Sequence, residues 1–324
     1  MVFAIIAIFG VRKQLVAGGE ELALDAAEEE IFAAPDSGQE IIVTAPPSSL
    51  NEANNPLLLI AKSEVKFPEI DRVGELFTMG RKKMPIVETV DYTGHAEWLD
   101  RQVWVADYAR EYNTSRHFIA RSLNGKPDYF NQKVMKGSTF NVFKKDANIN
   151  FYLLIDLARK RAGLYCYDLD ANERVHLKTY RISVGALDSR QPSGCLTPAG
   201  RYLLGEKIAI YKPESVGYYK NQQVEMVRVF GTRWIPFQEE VVTGGSGHGF
   251  GLQGLPWNEV AGELVESRES IEGYNTFGSI RFLQEDMEEF FSIVITKKTF
   301  ALVTPDFTQV ELPGKEVNHF TRER

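Results

Sequence analysis

The side chains able to do chemistry are few and scattered. The five histidines are His95, His117, His176, His248 and His319, and the two cysteines are Cys166 and Cys195. Only His248 lies among glycines, in GGSGHGFG at 244–251, where a ligand can approach the backbone closely. Gly249, Gly251 and Gly254 formally spell G-x-G-x-x-G. A dinucleotide site needs that motif to open a helix, so that the helix N-terminus meets the pyrophosphate. Here Pro256 and Trp257 follow and no long helix opens, so the match is accidental and no cofactor is expected. Two cysteines on their own make neither a disulfide framework nor a four-ligand zinc site, and no metal is expected. Both read as core thiols. The chain holds no G-x-x-x-x-G-K-[ST], H-E-x-x-H or G-x-S-x-G.

The elements that must position these residues fall into blocks. From Phe151 onward FYLLID, AGLYCYD, RVHLKTYRISVG, RYLLGEKIAIY and VRVFGTRWIPF are short strand candidates separated by turn residues. EDMEEFFSI at 285–293 reads as one helix with acids in its first turn, and TFALV as a last strand before Pro305. No helix-sized segment follows each strand, which excludes a doubly wound parallel sheet and leaves an α+β, β-rich domain over 149–304 with a tail at 305–324. Before it, 90–148 reads as a small helical segment. The spacing places Leu99, Val103, Ala106 and Tyr108 near one helical face. Thr114 or Ser115 then caps a second helix carrying Phe118, Ile119 and Leu123, and KVMKGSTFNVF at 133–143 alternates as a strand.

Charge is distributed unevenly. The 324 residues carry a net charge of −7, which argues against a general nucleic-acid binder. Residues 1–50 account for −6 of it, whereas 110–161 carry +7, a face that either meets an anionic polymer or is simply solvated. Residues 12–89 read as an acidic, largely disordered linker ending in turn chemistry such as TAPPSSLNEANNP. The opening MVFAIIAIFGV is apolar throughout but too short to span a bilayer. It reads either as the remnant of a signal or membrane anchor or as a short buried strand.

Four segments in order carry a family resemblance: LTPAGRY at 196–202, GHGFGLQGLPW at 247–257, GSIRF at 278–282, and the acidic helix that starts at Gln284 or Glu285. Over about 151–304 the chain resembles the L,D-transpeptidase catalytic (YkuD-type) family, in which T-P-x-G-x-[FY], an H-G loop often followed by P-W, and [ST]-x-G-C-[IV]-R occur in this order. The resemblance implies a cell-envelope or periplasmic location and peptidoglycan stem peptides as substrate. It also implies His248 as the base, and Gly278, Ile280, Arg281, Gly249 and Trp257 around substrate and oxyanion. Where the family has its cysteine nucleophile this chain has Ser279, and Phe277 stands where His or Lys is common. Ser279 lies 31 residues after His248, a longer interval than usual, and the extra segment around 258–275, with Glu259, Glu263, Glu266, Glu269 and Glu272, suggests an exposed helix or lid. ADYAREYNTSRHFIARSLN followed by KGSTFNVF resembles, more weakly, the helix pair and last strand of a LysM-type module that binds glycan strands, without the usual opening strand.

The serine decides the expected chemistry. A cysteine beside a histidine can be a thiolate at neutral pH, whereas a serine hydroxyl needs a base in hydrogen-bond contact. The resemblance therefore implies a weakly active or inactive member. The alternatives are an acyl-transfer enzyme working through Ser279 and His248, with Cys195 as a remote substitute nucleophile, and an unrelated β-rich interaction protein.

Overall fold

The computed structural model describes residues 54–126, 134–219, 222–242, 246–268 and 271–320. The apolar start and the acidic block, expected to form an anchor and a tether, lie outside these residues.

The linker expected over 12–89 does not extend through the described part. Asn55 caps α1 (Pro56–Ala61), and α2 (Gly74–Phe77) follows. Leu57, Phe67, Val73, Leu76 and Met84 are buried along this strap. Single apolar residues spaced among polar ones are invisible to a compositional window, yet each can dock on a preformed surface. The strap leads into β1 (Val87–Asp91), α3 (Val105–Glu111), α4 (Arg116–Asn124) and β2 (Thr139–Phe143). β1 and β2 pair antiparallel, from Val87 opposite Phe143 to Asp91 opposite Thr139. Leu99 and Val103 precede α3, because Asp107 accepts a hydrogen bond from the Trp104 N–H and fixes the first turn there. Ser115 caps α4 by accepting from the Phe118 N–H. Thr114 serves the strand, with its hydroxyl accepting from the Phe143 N–H.

The second half is strand-rich: β3 (Ile149–Asp156), β4 (Arg161–Asp168), β5 (Glu173–Gly185), β6 (Gly200–Leu204), β7 (Ile208–Ala209), β8 (Val216–Tyr219) and β9 (Gln222–Glu225). There follow α5 (Met226–Phe230), β10 (Arg233–Val242), β11 (Gly251–Gln253), β12 (Trp257–Val260) and β13 (Glu263–Glu266). The half ends in β14 (Tyr274–Thr276), β15 (Ile280–Phe282), α6 (Gln284–Val294), β16 (Thr299–Thr304) and β17 (Lys315–Glu316). The sheet order β11-β15-β5-β4-β3-β16-β6-β10 closes on itself because β10 also pairs with β11. Closure removes the open edges that a flat sheet would leave unpaired. The ring surrounds a core that includes Phe151, Leu153, Leu164, Ile182, Tyr202, Ile235, Ile280 and Phe282, and α6 buries Phe290, Phe291 and Ile293 against it. The architecture is thus α+β and β-rich.

Three local expectations are corrected. VRVF forms a helical turn, α5, because Val227, Val229 and Phe230 all find apolar cover. The glutamate-rich segment forms the β12–β13 hairpin instead of a helix, paired from Trp257 opposite Glu266 to Val260 opposite Glu263. Its turn is closed by Ala261 and Gly262 in the left-handed region, at φ 54° and 85°. The tail at 305–324 is packed where described: β17 pairs with β5, and Phe320 is buried.

Candidate active site

β11 and β15 run parallel, with Leu252 opposite Ile280 and Gln253 opposite Arg281. Because the two strands are parallel, the loops carrying His248 and Ser279 enter neighbouring strands from the same end. Strand pairing thus brings together two segments that are 31 residues apart in sequence.

The serine loop is rigidly braced. The Thr276 hydroxyl accepts from the Gly278 N–H at 3.0 Å and donates to the Ser279 carbonyl at 2.6 Å. The Thr197 hydroxyl accepts from the Gly185 N–H at 2.8 Å and donates to the Gly278 carbonyl at 2.9 Å. The T-P-x-G segment thereby ties the end of β5 to the serine loop. Gly278 has φ +120°, and a Cβ there would lie 2.2 Å from the Phe250 ring, so only glycine fits. The Gly278 N–H is thereby committed to the Thr276 hydroxyl. Ile280 is fully buried in the core.

The histidine loop is a turn in which the Phe250 N–H donates to the Gly247 carbonyl and Gly249 takes φ +81°. Gly247 rests on the Tyr202 ring and Phe250 on Gly278, which leaves His248 exposed at the tip. The Ser279 hydroxyl oxygen is buried and makes no hydrogen bond among the described residues, to His248 or to any other group. The base–nucleophile contact that a serine needs is therefore not made in this structure.

Arg281 follows on β15, two residues after Ser279. Its Nε is buried without a hydrogen-bond partner, and no carboxylate among the described residues pairs with it. Burial lowers its pKa from the ordinary value, and Tyr219 of the β8–β9 hairpin opposes that shift. A guanidinium stays charged in any case, and an unpaired buried cation is costly unless an anion joins it. Trp257, at the start of the β12–β13 hairpin, also holds a buried indole N–H without a partner. Tyr219 and Trp257 pack against one apolar cluster that includes Val224, Val227, Phe230 and Trp234. Phe277 is half-buried beside the serine.

Sequence reasoning missed Tyr219, which no motif marks, and the role of Thr197. The cysteines are remote from acyl chemistry. Both are buried, burial raises the Cys166 thiol far above its ordinary value, and Cys195 is pushed up to about 11. No group of three or more metal-ligating side chains occurs among the described residues.

No protein-family model and no curated protein matches this chain. Among solved structures it is similar to the helical cell shape determining protein Pgp2 from Campylobacter jejuni, at 20% identity and a TM-score of 0.33, over 52% of this chain and 50% of that one. The chain thus spans half the length of that protein. It is also similar to an L,D-transpeptidase from Mycobacterium tuberculosis, at 11% identity and a TM-score of 0.29, over 52% of this chain and 73% of that one. L,D-transpeptidase 3 from the same organism, solved with a faropenem-derived adduct, aligns at 10% identity with a TM-score of 0.30, over 53% and 75%. The likeness concerns the chain's fold, and at these scores it carries nothing about activity.

Proposed function

We propose that this chain is a peptidoglycan-associated protein of the cell envelope. Its serine-bearing, L,D-transpeptidase-like site binds the stem peptide and turns it over very slowly or not at all. One observation carries the reading: Ser279 and Arg281, two positions apart where the serine loop enters β15, hold a buried hydroxyl and a buried guanidinium nitrogen that no group among the described residues satisfies. A peptide carboxylate would complete Arg281 by a charge-assisted hydrogen bond. A hydroxyl without a base does not attack an acyl group at a useful rate. Losing one positioned catalytic group typically lowers the rate by about 10²–10⁴, and here both the nucleophile and its neighbour Phe277 depart from the family pattern.

The test compares the natural protein with Ser279→Cys, each incubated with a tetrapeptide donor and with a carbapenem and read by intact mass. Acylation of the cysteine variant alone is expected. Acylation of the natural protein that disappears in Ser279→Ala and His248→Ala would replace this reading with a working serine enzyme. If neither form reacts, the family chemistry does not apply to this chain.

A second reading concerns residues 87–143. The order β1-α3-α4-β2 with paired outer strands, and the exposed Trp104 and Met135, favour a glycan contact on this unit. Sedimentation of the full chain with purified sacculi, lost in Trp104→Ala and retained at high salt, is the expected result. Loss on adding salt would assign the binding to charge alone. We further propose an envelope location with the N-terminus at the membrane, for which protease access from the periplasmic side is the check.

A further inference from the structure

Hydrogen-bond donors without acceptors gather where β15 meets the two hairpins. Side chains two apart on extended chain face the same side, so Ser279 and Arg281 point together, and Ile280 between them is buried in the barrel core. Gln253 lies opposite Arg281 in the parallel pair and shares that face. Its amide N–H donates to the Val229 carbonyl of α5 at 2.7 Å, which aims the face at the apolar cluster of Val224, Val227, Phe230 and Trp234. Tyr219 of the β8–β9 hairpin and Trp257 of the β12–β13 hairpin pack on this cluster, and Tyr219 is close enough to act on the Arg281 charge. Trp257 pairs opposite Glu266, whose carboxylate accepts from the Gln284 N–H three residues after Arg281.

Three polar groups at this corner are buried without a partner among the described residues: the Ser279 hydroxyl, on a residue 5% exposed, the Arg281 Nε and the Trp257 indole N–H. All three can donate, and the guanidinium and the indole can only donate. The neighbouring carboxylates Glu225, Glu259, Glu266 and Glu285 are taken by Arg228 and Arg268. Such a corner suits a ligand group that is negatively charged and accepts hydrogen bonds without offering any.

We propose that Arg281 and Trp257 together hold one carboxylate of the bound peptide and reject the corresponding amide, so that the site takes stem peptides in which that acid is free. The inference rests on the stem-peptide reading given above and names the chemical form that the site selects. A carboxylate accepts from the guanidinium and the indole N–H at once and compensates the buried cation. A carboxamide of the same shape turns an amide N–H toward the converging donors and leaves the cation without a counter-charge. Trp257 therefore acts on specificity through one N–H, while its ring is held by the apolar cluster.

Calorimetric titration of the full chain with the tetrapeptide, and with the same peptide carrying each carboxylate in turn as a carboxamide, tests the inference. One amidated form is expected to bind about 10–100-fold more weakly than the acid, and the others to bind as the acid does. Trp257→Phe keeps a ring on the cluster and removes only the N–H. It should weaken binding of the acid about tenfold, leave the rejected amide nearly unaffected, and not lower the melting temperature of the ligand-free chain. Arg281→Gln should abolish the preference. Equal affinity of the natural chain for the acid and every amide overturns the inference and leaves peptide binding standing, and an undiminished preference in Trp257→Phe overturns it too. Absence of binding to every form overturns the stem-peptide reading itself.

Discussion

Thr197 shows how much one hydroxyl can organise. It closes the gap between the Gly185 N–H and the Gly278 carbonyl, both buried, and so holds the serine loop to the end of β5. Thr197→Val keeps the shape and strands both groups, at a cost of about 1–3 kcal/mol each. The expected result is a lower melting temperature and, in the Ser279→Cys background, loss of carbapenem acylation. The cysteines make a contrasting case. Burial pushes both thiols up, so neither forms a thiolate near neutral pH. Thiol reagents at pH 8 are expected to label Cys166 and Cys195 only after unfolding. Rapid labelling of Cys195 in the native protein would reopen it as a nucleophile.

At the scale of elements, the β12–β13 hairpin is held to α6 by charge. Glu266 accepts from the Gln284 N–H at the helix start and pairs with Arg268, which also reaches Glu285 at 2.9 Å. The acids at this end suit the helix dipole, and Glu266 replaces the side-chain cap that Leu283 cannot provide. Glu266→Ala should cost about 0.5–2 kcal/mol, in the manner of a lost cap. It should appear as faster proteolysis within 257–268, with little change in the barrel strands. Equal protection in the variant would mean that the hairpin is held by Trp257 and Leu264 packing instead.

At the scale of the whole molecule, the unit at 87–143 and the barrel share α4, whose Phe118 joins the barrel core and whose Ile119 faces the unit's own core. This predicts a single cooperative unfolding transition. Phe118→Ala removes a fully buried ring at the junction and should cost about 3–5 kcal/mol. Calorimetry of that variant should still show one transition at lower temperature. Two separated transitions would mean that the halves fold independently. Acid acts on the strap. His176 is buried against Tyr165 and Phe67, and its pKa is lowered, so its contribution is present above about pH 6.5 and declines below it.

The strands from Phe151 to Thr304, the helix at 284–294 and the α+β class were legible in the sequence, because alternation and turn residues are local signals. The motif order drew attention to His248, Ser279 and Arg281, whose roles rest on the proposal above. The strap was not legible, since Leu57, Phe67 and Leu76 acquire meaning only against a surface made by residues from other segments of the chain. VRVF reads as a strand by composition and becomes a helix because all its apolar side chains find cover on α5. Only the tertiary structure decided that the ring closes through β10 and β11, that Thr197 braces the serine loop, and that the Ser279 hydroxyl is buried without its base. Each of these depends on hydrogen bonds between distant segments, and a sequence records the partners of such a bond without recording that they meet.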